Sequence, residues 1–139
     1  MVFDFTDLNL WAILAASVVP FLIGFLWYGP LFGKTWQKEV GLSDKDMKDT
    51  NMMQVFGLSF LANLVAVYVL AGLLNKDLGN LDWVNGATVG LWIGLAFQAT
   101  VLATHYLFTR SSLKQWIIDS VYSIVTITAA GAILGAMLV

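Results

Sequence analysis

The sequence contains no cysteine and a single histidine, and only 12% of its 139 residues are Asp, Glu, Lys or Arg. The absence of cysteine excludes disulfides and thiolate metal sites. A soluble domain of this size is usually about a quarter charged, so half the expected charge is missing. The net charge of −2 gives no reason to invoke nucleic acid as a partner. The sequence shows no metal-ligand cluster, no Gly-Asp or His-Glu motif and no cofactor signature, so no metal, no cofactor and no enzymatic activity are expected. The N-terminus carries Asp4 and Asp7 but no Lys or Arg, whereas a cleavable signal starts basic; none is expected here.

What the chain has instead is apolar length. Hydrophobic residues make up 59% of it, and the few charges are clustered. Asp7 and Lys34 are separated by 26 uncharged residues, Thr50–Asn75 gives another 26, Trp83–Thr109 gives 27, and Gln115–Val139 holds only Asp119. A helix needs roughly 20 apolar residues to cross the hydrocarbon layer, so all four runs suffice. Backbone groups in lipid must pair within their own segment, which makes the spans helical. The runs also lack the two-residue alternation of a barrel strand. The expectation is an all-α, integral membrane four-helix bundle, a single domain with spans near 8–29, 53–74, 85–108 and 115–138.

Six of the seven basic residues fall after spans 1 and 3: Lys34, Lys38, Lys45 and Lys48 in the first connection, Arg110 and Lys114 in the third. The second connection holds Lys76. Counting Lys and Arg in short loops puts the first and third connections in the cytoplasm, both termini outside (N-out/C-out), and the protein in the cell (inner) membrane. Trp11 and Trp83 then lie near the outer surface and Trp27, Trp36 and Trp116 near the inner one, as an aromatic belt. In "WYGP", Trp27 and Tyr28 are expected to anchor span 1 at the inner interface. Gly29 and Pro30 then end the helix, because proline disfavours helical geometry at the residue before it. The cytoplasmic connection 30–52 should hold a short helix. Ser43 is a good N-cap, with Asp44 and Asp46 in the first turn, and the helix can run straight into span 2.

"GFLWYGPLFGKTWQKEVGLS" and "HYLFTRSSLKQWIIDSVYSIV" resemble the two motifs of the bacterial membrane proteins grouped as domain of unknown function 1761. The matching positions are Trp27, Tyr28, Pro30, Phe32, Gly33, Trp36, His105, Phe108, Arg110 and Tyr122. The likeness covers nearly the whole chain. It implies a small four-helix integral membrane protein and carries no activity or functional residues with it.

Polar residues inside the spans are the best functional pointers, because each is costly in lipid unless paired. Ser17, Asn63, Gln98 and Thr126 each lie about ten or eleven residues from the basic end of their span, or roughly 15–17 Å, near the middle of the hydrocarbon core. One polar residue per helix at one depth suggests a hydrogen-bonded belt, either as glue between helices or as a midplane path. His105 and Asp119 flank the third connection by about one turn each and can pair, as a latch or as a proton-linked switch. Gly86, Gly90 and Gly94 share one helical face in span 3, and Gly131 and Gly135 have the same spacing in span 4. Such small residues serve close helix packing, within the bundle or between copies.

Two functions follow as expectations. The first is a homo-oligomeric transporter or channel for a proton, ion or small solute, with the polar layers as its path. The second is a non-catalytic membrane module that binds a partner protein or lipid through the first connection. An intramembrane enzyme using Ser120 or Ser123 with His105 and Asp119 is the weakest reading, since any chain with one histidine offers such a set.

Overall fold

The computed structural model describes residues 2–75 and 80–138; Lys76 lies outside them. In chain order the helices are α1 (Leu10–Leu31), α2 (Gly33–Val40), α3 (Asp44–Asp49), α4 (Met52–Asn75), α5 (Trp83–Phe108) and α6 (Leu113–Met137). Among the described residues there is no strand. Helices α1, α4, α5 and α6 are long and apolar enough to cross a membrane. Short polar side chains start the helices: Asn9, Ser43, Asp82 and Ser112 each accept a backbone N–H at the first turn of α1, α3, α5 and α6.

At "WYGP" the regular helix breaks: two helical segments meet at a kink within Trp27–Leu31, where Pro30 has no N–H to offer. Phe32 N–H reaches back five residues to Trp27 O at 2.8 Å. Gly29 leaves the helical region, at φ −107° and ψ −105°. One local expectation needs correction: α3 does not run into α4. Thr50 is extended, at φ −76° and ψ 132°, and α4 starts afresh at Met52.

The connections α1–α4 and α5–α6 lie at one end, with six of the seven Lys and Arg residues; we call it the basic end. Helix α6 is the hub. It packs along α5 and α1 and more lightly on α4, while α4 leans mainly on α1. The closest approach is between α5 and α6. A methyl group added at Gly86 would strike Gly131 O, one at Gly90 would strike Ile127 O, and one at Gly135 would strike Asp82 O. The two glycine faces therefore meet each other inside one chain.

The main core cluster lies in the half away from the basic end. Ala12, Ile13 and Ala16 of α1 pack there with Val67, Leu70, Ala71 and Leu74 of α4 and Ala130 and Leu134 of α6. The N-terminal segment covers that end. Asp4 N–H donates to Gly72 O at 2.8 Å, and Phe5 stacks on Tyr68 with ring centres 5.0 Å apart. Toward the basic end α4 stands clear, and every residue from Asn51 to Ser59 is exposed. There α4 meets α1 through the rings of Phe21, Phe25, Phe56 and Phe60. Large exposed side chains such as Trp92, Phe97 and Val101 would be a liability in water, whereas a hydrocarbon solvent tolerates them.

Gly90→Ala is expected to lower stability by about 1–3 kcal/mol, because a packed carbonyl must move. Gly57→Ala, where a methyl meets open space, should leave stability at or above wild type. Thermal unfolding in detergent measures both, and equal losses would contradict the packing described.

Candidate functional site

Asp119, the one carboxylate inside a membrane-length helix, gathers three helices at the basic end. Tyr28, at the kink of α1, donates its hydroxyl to Asp119 Oδ1 at 2.6 Å. Tyr106 of α5 donates to Asp119 Oδ2, also at 2.6 Å. Both distances are those of a short bond to a charged acceptor. Around this clamp, Trp27 Nε1 donates to Ile118 O and Trp116 Nε1 to Ala99 O, each at 3.0 Å. The Tyr122 hydroxyl donates to Pro20 O at 2.8 Å. Trp27 and Trp116 thus spend their N–H groups on neighbouring helices rather than at the headgroup layer. Trp36 meets Tyr28 edge to face, with centres 5.4 Å apart. Gly33 is required beside them, since a methyl there would run into Tyr28 O.

His105 does not join Asp119. Its ring packs 5.8 Å from that of Tyr106 and the residue is exposed; no hydrogen bond or ion pair links it to Asp119. Neighbours on a helix point about 100° apart, and it is Tyr106, the next residue, that takes the position facing α6. Tyr106 was legible in principle. A tyrosine hydroxyl buried in an apolar span needs an acceptor, and Asp119 is the one carboxylate in these spans.

A cleft of about 820 Å³ opens on the other side of Tyr28. α1 contributes Gly24 and Tyr28, α4 contributes Val55, Ser59 and Asn63, and α6 contributes Tyr122 and Thr126. Lys34 and Gln37 of α2 and Met47 of α3 close it at the basic end. The short helices are held over it by local bonds. Gln37 Nε2 donates to Asp44 Oδ1 at 2.8 Å. Ser43 N–H donates to Asp46 Oδ2 at 2.8 Å, and that backbone bond, with the Ser43 hydroxyl, holds the Asp46 carboxyl below the usual carboxylate range.

The expected polar belt is not continuous. Asn63 Nδ2 donates to Ser17 O at 2.7 Å, the one link between helices in that layer. Ser17 bonds back to Ile13 O and Thr126 to Ser123 O, each within its own helix. Gln98 is on α5, which packs against α6 and away from α4, and its Oε1 is buried without a partner. Equal depth did not mean a shared side of the bundle. Asn63 and Thr126 do face one cleft, with Ser17 behind Asn63.

The polar groups around the cleft are largely spent. The hydroxyls of Tyr28, Tyr122 and Thr126 and the amide N–H of Asn63 all donate inside the protein. The tyrosines and Thr126 show ring and methyl surface to the cleft, while the Asn63 carboxamide and the Ser59 hydroxyl keep polar atoms on the lining. Such a lining suits a hydrocarbon chain better than a hydrated ion or a polar solute.

The family model described as "Protein of unknown function (DUF1761)" matches residues 11–135, a stretch that contains every residue lining the cleft. No curated protein and no solved structure matches the chain.

Tyr28→Phe and Tyr106→Phe should each lower stability in detergent by about 1–2 kcal/mol, above the 0.6 kcal/mol typical of bonds between membrane helices because the acceptor is charged. In an Asp119→Leu background the cost of Tyr28→Phe should fall to a few tenths of a kcal/mol. His105→Gln should change stability by less than about 0.5 kcal/mol. A double-mutant cycle that finds Tyr28 and Asp119 additive would contradict the clamp.

Proposed function

We propose that this chain, which belongs to the DUF1761 family, is a non-catalytic membrane protein that holds a chain-bearing amphipathic molecule in the cleft between α1, α4 and α6. One observation carries the reading: a cleft of about 820 Å³, most of whose hydroxyl and amide groups, those of Tyr28, Tyr122, Thr126 and Asn63, already donate inside the protein. Its volume falls within the range of small-molecule sites. It opens where the inner half of α4 separates from the bundle and ends against the apolar core of the other half. The positive-inside rule puts the basic end, and with it the cleft, on the cytoplasmic side of the cell membrane, with both termini outside. A non-catalytic role accords with the side chains that chemistry would need. His105 is exposed and unlinked to Asp119, and the hydroxyl of Ser120 is buried without a partner.

Transport by a homo-oligomer is the second reading, and the polar floor of the cleft at Asn63 and Thr126 favours it. A single chain offers no path past the core at Leu70, Leu74 and Leu134, so flux requires a second copy or a rearranged bundle.

Native mass spectrometry of protein extracted in mild detergent tests the first reading. Wild type should retain a lipid-like adduct, and Ser59→Trp, which fills the cleft from an exposed position, should lose it without a change in melting temperature. Retention unchanged in Ser59→Trp would remove the cleft from consideration. Proteoliposomes that pass protons, ions or small polar solutes in a manner abolished by Asn63→Leu would favour transport instead.

A further inference from the structure

Lys34 is the one charged side chain on the cleft lining. It sits in the first turn of α2, at the mouth, and its ammonium group makes no ion pair with a described residue. Of the four carboxylates of the same connection, Glu39 pairs with Lys114 at 3.8 Å, Asp44 accepts from Gln37 and Asp46 closes the cap with Ser43. None of the four, Asp49 included, is on the cleft lining, so the one charge that the lining carries is positive and sits at the mouth.

The depth of the cleft identifies what that charge would meet. Its α4 wall runs from Met52 to Asn63. Eleven residues at 1.5 Å each give about 16 Å, close to half the roughly 30 Å hydrocarbon thickness. A ligand whose head lies at Lys34 thus reaches the floor at Asn63 and Thr126 with a tail about one leaflet long. The walls along that length are phenylalanine, tyrosine, valine and methionine.

We propose that the occupant of the cleft is an anionic glycerophospholipid of the leaflet at the basic end, with one acyl chain between α4 and α6 and its phosphate beside Lys34. This rests on the binding reading above and adds the head-group charge to it. Lysine can follow a phosphate at the interface because its long stem lies along apolar surface while the ammonium stays in the polar layer. The Tyr28 ring forms the wall beneath the head group, fixed by its bond to Asp119.

The test is lipid competition by native mass spectrometry, with the full chain in nanodiscs of mixed phosphatidylglycerol and phosphatidylcholine of matched chain length. Wild type should retain the anionic lipid in preference by about five-fold, the effect of one lysine near a phosphate. Lys34→Gln should bring the ratio to about one with total retained lipid unchanged, and Lys34→Arg should restore it. Lys45→Gln, whose side chain is not on the lining, should keep the wild-type ratio. An even ratio in wild type, or a preference that survives Lys34→Gln, overturns the anionic assignment while leaving cleft binding intact. Displacement of the retained lipid by millimolar inorganic phosphate overturns the assignment to a lipid. Equal retention of both lipids in wild type and Ser59→Trp sinks the binding reading itself.

Discussion

In hydrocarbon, a hydroxyl or amide group finds no water, so it must bond to another protein group or remain costly. That constraint explains most of what is found around α6. Tyr28 and Tyr106 converge on Asp119, Trp27 and Trp116 reach backbone carbonyls across helix boundaries, and Tyr122 bonds to Pro20 O. Each bond draws a neighbouring helix onto α6 near the basic end. The same constraint shapes the cleft by subtraction: once those donors are used, the surface they leave is aromatic and aliphatic. A polar residue count would suggest a hydrophilic site, whereas the hydrogen bonds give an apolar one.

The helices are held by different means along their length. Away from the basic end, small residues let backbones come together, with Gly86 on Gly131 and Gly90 on Ile127. Packing of this kind is how helices associate in lipid, where burial of apolar surface gives little preference over the solvent. Toward the basic end the contacts become specific hydrogen bonds and ring contacts, and they involve α1, α5 and α6. Helix α4 has neither glycine contacts with α6 nor a share in the Asp119 clamp. Its Gly57 faces open space, and its outward lean follows.

The sequence made depth legible, and left azimuth and pairing hidden. Charge-free runs gave four spanning helices, because solvation of charge depends on depth alone. Ser43 announced α3 through local chemistry, and the glycine faces were readable from their spacing of four. By contrast, placing Ser17, Asn63, Gln98 and Thr126 at one level said nothing about which of them share a side. The answer depends on α5 packing on α6 rather than on α4, a tertiary fact. His105 and Tyr106 are one residue apart and at almost one depth, yet they point about 100° apart. Pro30 was readable as a disturbance. The direction the chain takes after that break is set with partners of Trp27 and Tyr28 that are 91 residues away.

That kink connects the two halves of the site: it carries both Trp27, which donates to Ile118 O, and Tyr28, which donates to Asp119. Tyr28 then serves two surfaces, since its hydroxyl belongs to the clamp and its ring to the cleft. A ring held at its far end by a short bond to a charged acceptor cannot swing without breaking that bond. The wall made by α1 and α6 is therefore rigid. The opposite wall is the exposed half of α4, Asn51–Ser59, with few buried contacts to resist displacement. Under the binding reading proposed above, ligands of different girth would be accommodated by α4 rather than by the clamp.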